Sequence, residues 1–292
     1  MRKRFVLWML VAAVWILNST EVMAQQKTAP VFEHVHVLAM DTEARSLFLG
    51  AHTGLFQSED GGRTWKRVAL SEKHPHLDVM TVTPDPKDSR ILYVGTHEAG
   101  VFKSGDSGVT WKQVNNGLAG MDVHGLAVDP NNPSKLHVAI RDKGDGIYRT
   151  TDGGAKWTRV DDGPEGEIKV LRSVNIPTGM GGIFLYAGTS TGLQRSPDCF
   201  WGWNTVGGLP TNRTVNGFAV DPENSKTMFV AMRDGLFKST NAGESWKRVG
   251  DDLKNLASVT INPKKSNQMF VSTTEGTIYL SADAGMKWKK QQ

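Results

Sequence analysis

One eight-residue pattern recurs six times along the chain, and no other feature restricts the fold as strongly. Ser58-Glu59-Asp60-Gly61-Gly62-Arg63-Thr64-Trp65 returns, with substitutions, at Ser104 to Trp111, Thr150 to Trp157, Ser196 to Trp203, Ser239 to Trp246 and Ser281 to Trp288. The closing tryptophans are 46, 46, 46, 43 and 42 residues apart, a period that marks a repeat architecture. Upstream of each box lie two apolar runs, one ending near Asp-Pro (Leu126 to Pro130, Phe218 to Pro222) and one read as ending in a glycine turn (Leu92-Tyr93-Val94-Gly95-Thr96). Short alternating stretches precede and follow the box, as in Gly235 to Ser239 and Trp246 to Val249, which makes four strands per unit. Turn residues separate the runs, and no long helical apolar period interrupts them. One such sheet cannot bury both of its faces, whereas six arranged radially bury them against each other. The expected fold is therefore all-β, a six-bladed β-propeller of four-stranded antiparallel blades. Box four is the degraded copy, with Phe200 in place of glycine, and box five carries Asn241 for aspartate. The last unit ends soon after Trp288. Its fourth strand must be short, or else supplied by the segment near Pro30 to His34.

The amino terminus reads differently. Arg2, Lys3 and Arg4 precede an apolar run from Phe5 to Leu17, and Val22-Met23-Ala24 offers a small-residue cleavage site. That is the layout of a secretory signal peptide over residues 1–24, and the apolar run is shorter than a bilayer span. The propeller then occupies residues 25–292 as a single domain, in an exported protein, periplasmic or secreted, with no integral membrane segment after cleavage. Loss of the leader lowers the formal +4 of the whole chain by two, so a nucleic-acid-binding role is not indicated. The lone Cys199 permits no internal disulfide. Its place in the degraded box, flanked by Pro197 and Trp201, favours a buried or unreactive thiol. Mixed charge without a sustained exposed apolar strand favours a monomer.

Each box suits a tight hairpin between the third and fourth strands: the hydroxyl and carboxylate accept hydrogen bonds from turn amides, glycine permits positive φ, and tryptophan packs between blades. The chain here resembles the Asp-box, or BNR-repeat, family, whose pattern S-x-D-x-G-x-[ST]-W is matched in full by boxes one and two. The resemblance covers the whole mature chain and is specific for fold rather than task. Similar propellers serve as sialidases, xyloglucan-cleaving enzymes, sorting receptors and photosystem assembly factors. It also implies that the boxes lie on the rim opposite any active face, so the acidic rows are structural.

The other rim is then built by the starts of the inner strands, expected at His36, Asp78, His124, Leu171, Asn216 and Ala257, and by the turns between second and third strands. Those turns carry His52, His97 with Glu98, Arg141 with Asp142, Ser190, Arg233 with Asp234, and Thr274 with Glu275. Five of the eight histidines, His76 included, fall on or beside this ring in blades one to three, whereas His34, His74 and His137 read as lying off it. His36, His52, His97 and His124, with a carboxylate nearby, would suit a divalent transition metal. Histidines that merely satisfy strand-end carbonyls, or line a small-ligand site, are the alternatives. Asp78, Glu98, Arg141, Asn216 and Arg233 are the corresponding ligand-binding candidates.

An enzyme of sialidase type would need an arginine cluster, a tyrosine nucleophile and an acid/base aspartate. Arg141, Arg172, Arg213 and Arg233 could supply the first. However, the Arg-Ile-Pro signature of that family is absent, and all four tyrosines fall within strand patterns. A two-carboxylate glycosidase stays open as the runner-up, because Asp78, Glu98, Asp122, Asp142, Asp145, Asp234 and Glu275 supply several candidate pairs; Val35 to Leu38 and Ala51 to Phe56 are similar to segments of bacterial Asp-box propellers labelled as glycosyl hydrolases, a label that is an analogy. The preferred reading is a non-catalytic module that binds a partner protein, a glycan or another ligand through its histidine-bearing rim. The loops Leu70 to Asp78 and Asp161 to Lys169 would frame it. Trp201 reads as a local repair of the degraded turn rather than an exposed anchor.

Overall fold

The computed structural model describes residues 32–72, 76–179, 181–250 and 252–291. The leader and His74 lie outside them. The described residues form six antiparallel sheets of four strands each, every sheet built from four consecutive strands, and no helix. The innermost strands are Val35–Met40, Val79–Pro84, Asp122–Val128, Ile168–Pro177, Val215–Val220 and Leu256–Ile261. Blade six completes itself with a two-residue fourth strand, Lys289–Lys290, paired to Ile278–Ser281. Among the described residues, the amino-terminal segment supplies no strand to it. The circle closes through backbone and side-chain hydrogen bonds instead. Val35 N–H donates to the Thr274 carbonyl at 2.9 Å, and Leu38 N–H donates to Ser258 Oγ at 3.0 Å.

The apolar runs fill the spaces between blades. Val37, Phe48 and Leu55 of blade one pack with Val79, Val94 and Phe102 of blade two, and the pattern recurs around the ring. One sequence reading needs correction here. Gly95 lies inside the strand Leu92–Thr96, not in a turn. Its equivalents show why: a Cβ on Gly50 would stand 2.6 Å from Val79 Cγ1 and 2.7 Å from the Val79 carbonyl oxygen, and one on Gly188 would stand 2.8 Å from the Val215 carbonyl oxygen. These glycines let the next blade's inner strand approach closely.

The box hydrogen bonds follow the expected plan in five blades. Ser58 Oγ donates to Asp60 Oδ1 at 2.9 Å and accepts the Gly62 N–H at 2.8 Å, with Gly62 at φ 84°. Boxes two, three, five and six repeat this through Ser104, Thr150, Ser239 and Ser281. Box four is rewired. Phe200 takes φ 56° without the freedom of glycine, and the Asp198 carboxylate leaves its own turn to meet Lys135 of blade three. Trp201 is 80% exposed and Cys199 is exposed. The Cys199 thiol is therefore not buried, and Trp201 stands out in solvent instead of packing on its turn.

Burial of Asp60 acts to raise its pKa, yet hydrogen bonds from Thr64, Ser58 and Arg63 hold the carboxyl down at about 2. Asp106 sits at about 2 through equivalent bonds from Thr110 and Ser104. A carboxyl depressed by folding stabilises the fold above its unfolded pKa and loses that contribution as pH falls through the folded value. Stability should therefore fall between about pH 4 and pH 2. The Asp60→Asn/Asp106→Asn protein should lose less over that interval, because Asn241 shows that an amide keeps the acceptor of the turn. Urea midpoints at pH 5, 3 and 2 check this; equal losses in both proteins would sink it.

Candidate metal-binding face

Every inner strand carries a register shift near its start or, in blade three, opposite it. A bulge leaves one residue outside the ladder and re-aims its side chain. The residues passed over are His36, Met80, His124, Lys169, Asn216 and Ala257. The sequence alignment thus names the right position in blades one, three, five and six. In blade two Asp78 lies just before the strand, and in blade four Leu171 is buried at 2% exposure while Lys169 takes the bulge. Repeat counting cannot see a bulge, because it adds one residue to one strand without changing the period.

The four histidines expected on the ring divide into two groups. His36 and His52 converge with His34, one ring nitrogen of each lying within 4.8 Å of the others. His34 was read from the sequence as lying off the ring. Its backbone has a left-handed φ of 49°, and its exposed ring stacks on His52 with centroids 4.7 Å apart and planes 18° apart. The Asp78 carboxylate reaches His36 Nε2 at 3.2 Å and His52 Nε2 at 3.5 Å. His36 Nε2 and Asp78 Oδ1 are buried and, despite their proximity, not aligned in a hydrogen bond. Burial acts to raise the Asp78 pKa, but His36, His52 and His97 hold it below the usual range. The His34 pKa is lowered, first by burial and then by His36 and His52. A lowered His34 pKa and an ionised Asp78 favour the protonation states in which those two groups ligate a cation.

The second group is His97, Asp122 and His124, again with ligating atoms within 4.8 Å. His124 Nε2 stands 2.9 Å from Asp122 Oδ1, with His97 Nε2 3.8 Å from the same oxygen. Both carboxylate oxygens of Asp122 and both ring nitrogens of His124 are buried without an aligned partner. Behind them Glu167 is clamped by Arg141 at 2.6 Å and Lys169 at 2.8 Å. The loop Asp161 to Lys169 forms one wall of a cavity of about 390 Å³ that includes His124, Arg141, Asp145 and Glu167. The His124 pKa is lowered chiefly by burial, against the pull of Asp122.

The remaining candidates stand apart. Glu98 is exposed beside His97, and Asn216 Nδ2 donates to the Leu256 carbonyl at 2.8 Å, tying blade five to blade six. Arg233 lines a separate cavity with Arg213 and Asp234. His76 is exposed, with Nδ1 3.4 Å from Arg67. The four tyrosines lie in strands, as expected. Arg141, Arg172, Arg213 and Arg233 do not form one cluster: Arg172 lies within the central channel. Sequence reasoning missed His34 and Lys169. The only signal for His34 was its two-residue spacing from His36.

Comparison with known proteins supports the propeller class. The family model described as "Sortilin, neurotensin receptor 3" matches residues 53–174. Sortilin of Danio rerio is 28% identical over 134 residues, which are 43% of this chain and 16% of that protein. The chain therefore spans only a small part of that relative. Among solved structures, the GH74 enzyme of Niastella koreensis aligns at a TM-score of 0.67 with 20% identity, over 90% of this chain and 46% of that one. YCF48 bound to D1 peptide aligns at a TM-score of 0.55 with 16% identity, over 90% of this chain and 83% of that one. These likenesses establish the fold and span both a binding protein and a glycoside hydrolase. Among the described residues no helix is long and apolar enough to cross a membrane.

Proposed function

We propose that this chain is an exported, non-catalytic propeller of the Asp-box type, which binds a divalent transition metal on its histidine-bearing face and engages a partner protein or glycan there. One observation carries the metal reading. Three imidazoles from two elements of blade one converge within 4.8 Å, and a carboxylate from the approach to blade two closes the set. Three imidazole nitrogens, with a carboxylate that reaches two of the three rings, suit zinc, nickel or copper. Asp122 with His97 and His124 offers a second, smaller donor set beside it.

The glycosidase reading draws less support. A general acid needs a carboxyl kept protonated near neutrality. Asp78 and Glu167 instead both lie below the usual range: burial acts to raise them, but His36 and its neighbours hold Asp78 down and Lys169 with Arg141 hold Glu167 down, and Glu167 is locked between Arg141 and Lys169.

The deciding measurement is metal content. Residues 25–292, purified without chelator or affinity histidines and exposed to zinc, should retain about one equivalent or more at the His34, His36 and His52 site. The His36→Ala/His52→Ala protein should lose that equivalent while keeping its circular-dichroism spectrum. A wild-type protein that emerges metal-free would return the three rings to a packing role and make partner capture the remaining basis for function.

A further inference from the structure

Beside the first histidine group, the same face holds a second set of donors whose buried atoms lack partners. Asp122 and His124 stand two residues apart at the start of the inner strand Asp122–Val128, where the register shift opposite Ala139 and Ile140 passes His124 over. They are 7% and 4% exposed, and four of their side-chain atoms, both oxygens of the carboxylate and both nitrogens of the ring, are buried without a hydrogen bond. His97 reaches them from the blade-two turn that follows Leu92–Thr96. The Gly100 N–H donates to the Met121 carbonyl at 2.9 Å, which pins that turn against the start of blade three. Buried polar atoms without a hydrogen bond are costly, and a native fold rarely gathers several of them at one point. A bound cation satisfies the carboxylate and the imidazole nitrogen at once.

The two nitrogens of the His124 ring have different neighbours. Nε2 stands 2.9 Å from Asp122 Oδ1, and His97 Nε2 stands 3.8 Å from the same oxygen, so three donors meet there with their ligating atoms within 4.8 Å. Nδ1 stands 3.8 Å from Glu167 Oε1, and that oxygen is fixed by Arg141 at 2.6 Å and Lys169 at 2.8 Å. A histidine that binds a metal through one nitrogen almost always gives the proton on the other to a carboxylate, a carbonyl or water. Glu167 stands where that carboxylate belongs, and a proton held on its side leaves Nε2 bare for the ion. Two imidazoles and one carboxylate are a donor set of zinc-type sites that keep one position free. The opening lies on the His97 side, because the His97 side chain is 47% exposed while those of Asp122 and His124 are 8% and 4% exposed.

We propose that His97, Asp122 and His124 bind a second divalent transition-metal ion, with Glu167 as the positioning residue for His124 and a fourth coordination position that an imidazole side chain of the partner closes. Nitrogen donors suit such an ion, whereas Glu98, exposed next to His97, disfavours a further anion. This second site rests on the reading of the face as metal-binding, but the two sites can fail separately. Cobalt(II) is the probe, titrated into residues 25–292 and followed by its visible absorption, with bound metal counted after gel filtration. Wild type should take up two equivalents and His36→Ala/His52→Ala one. His97→Ala, an exposed change that leaves the buried pair in place, should also take up one. Glu167→Gln should weaken the second equivalent by about 10-fold or more and leave the first unchanged. Free imidazole stands in for the partner's side chain: added to cobalt-loaded His36→Ala/His52→Ala, it should shift the absorption bands saturably without removing the ion. A single equivalent that His36→Ala/His52→Ala abolishes would overturn the second site and leave the first standing; a single equivalent that only His97→Ala abolishes would do the reverse. No uptake by wild type would end both. An unchanged spectrum in imidazole would overturn the open position, and equal cobalt affinity in wild type and Glu167→Gln would remove the role given to Glu167.

Discussion

Trp157→Ala should destabilise the propeller by about 3–5 kcal/mol, the range for removing a fully buried large aromatic side chain. Spacing alone does not distinguish the six box tryptophans, but the structure ranks Trp157 first. It is 2% exposed and lies in the core between blades two and three, against residues such as Leu118, Leu136 and Tyr148. Its indole N–H donates at 2.7 Å to the Val114 carbonyl, 43 residues away, and its backbone N–H donates to the Asn116 carbonyl at 2.8 Å. The indoles of Trp65, Trp111, Trp246 and Trp288 bond instead to the carbonyl of their own box glycine, and the last three are only partly buried. Alanine at 157 removes the packing and leaves the Val114 carbonyl without its donor. Trp157→Phe should recover part of the loss, and Trp246→Ala should cost clearly less than Trp157→Ala. For a domain of this size the alanine variant's unfolding temperature should drop by roughly 6–15 °C. Equal losses at 157 and 246 would mean that the inter-blade bond and the deeper burial carry no stability.

The reason a sequence shows the blades and hides the site is visible in the same residues. A box is local: Ser58, Asp60, Gly62 and Thr64 bond to one another within a few residues, so the turn, the blade count and the strand order can be read from spacing. The rim is assembled across blades, where spacing carries no information. His52 and Asp78 meet from different blades, and His34, at a left-handed φ, stacks on His52. In blades two and four the passed-over residue lies two positions from the one that spacing indicates, Met80 for Asp78 and Lys169 for Leu171. Box four makes the same point from the other side. Its departures read as decay, yet Phe200 covers His137 with ring centroids 5.5 Å apart and Asp198 has become a partner of Lys135. Residues lost to the local turn have been given to a contact between blades.

That contact buries an imidazole, and the burial predicts a pH dependence centred on blade three. His137 lies in the strand Leu136–Arg141, is 1% exposed, and both its ring nitrogens are without a partner. Burial first, then the charges of Lys135 and Arg149, lower its pKa to about 3, with Asp198 opposing. The unfolded chain takes up this proton near pH 6.5, whereas the folded chain refuses it until about pH 3. The unfolded state therefore binds more protons throughout that interval, and stability falls as pH drops through it, by at most about 1.4 kcal/mol per pH unit for one proton. The box carboxylates act lower, below about pH 4, so the interval from pH 4.5 to 6.5 isolates the histidines. The comparison must hold the other histidines constant. His137→Leu does so: it fills the same space without titrating and removes two buried nitrogens that have no partner. The variant should be more stable than wild type at pH 5 and should show a shallower fall between pH 8 and pH 5, measured as urea midpoints at the two pH values. Parallel slopes in the two proteins would mean that His137 is reached by a proton, or by water, in the folded state.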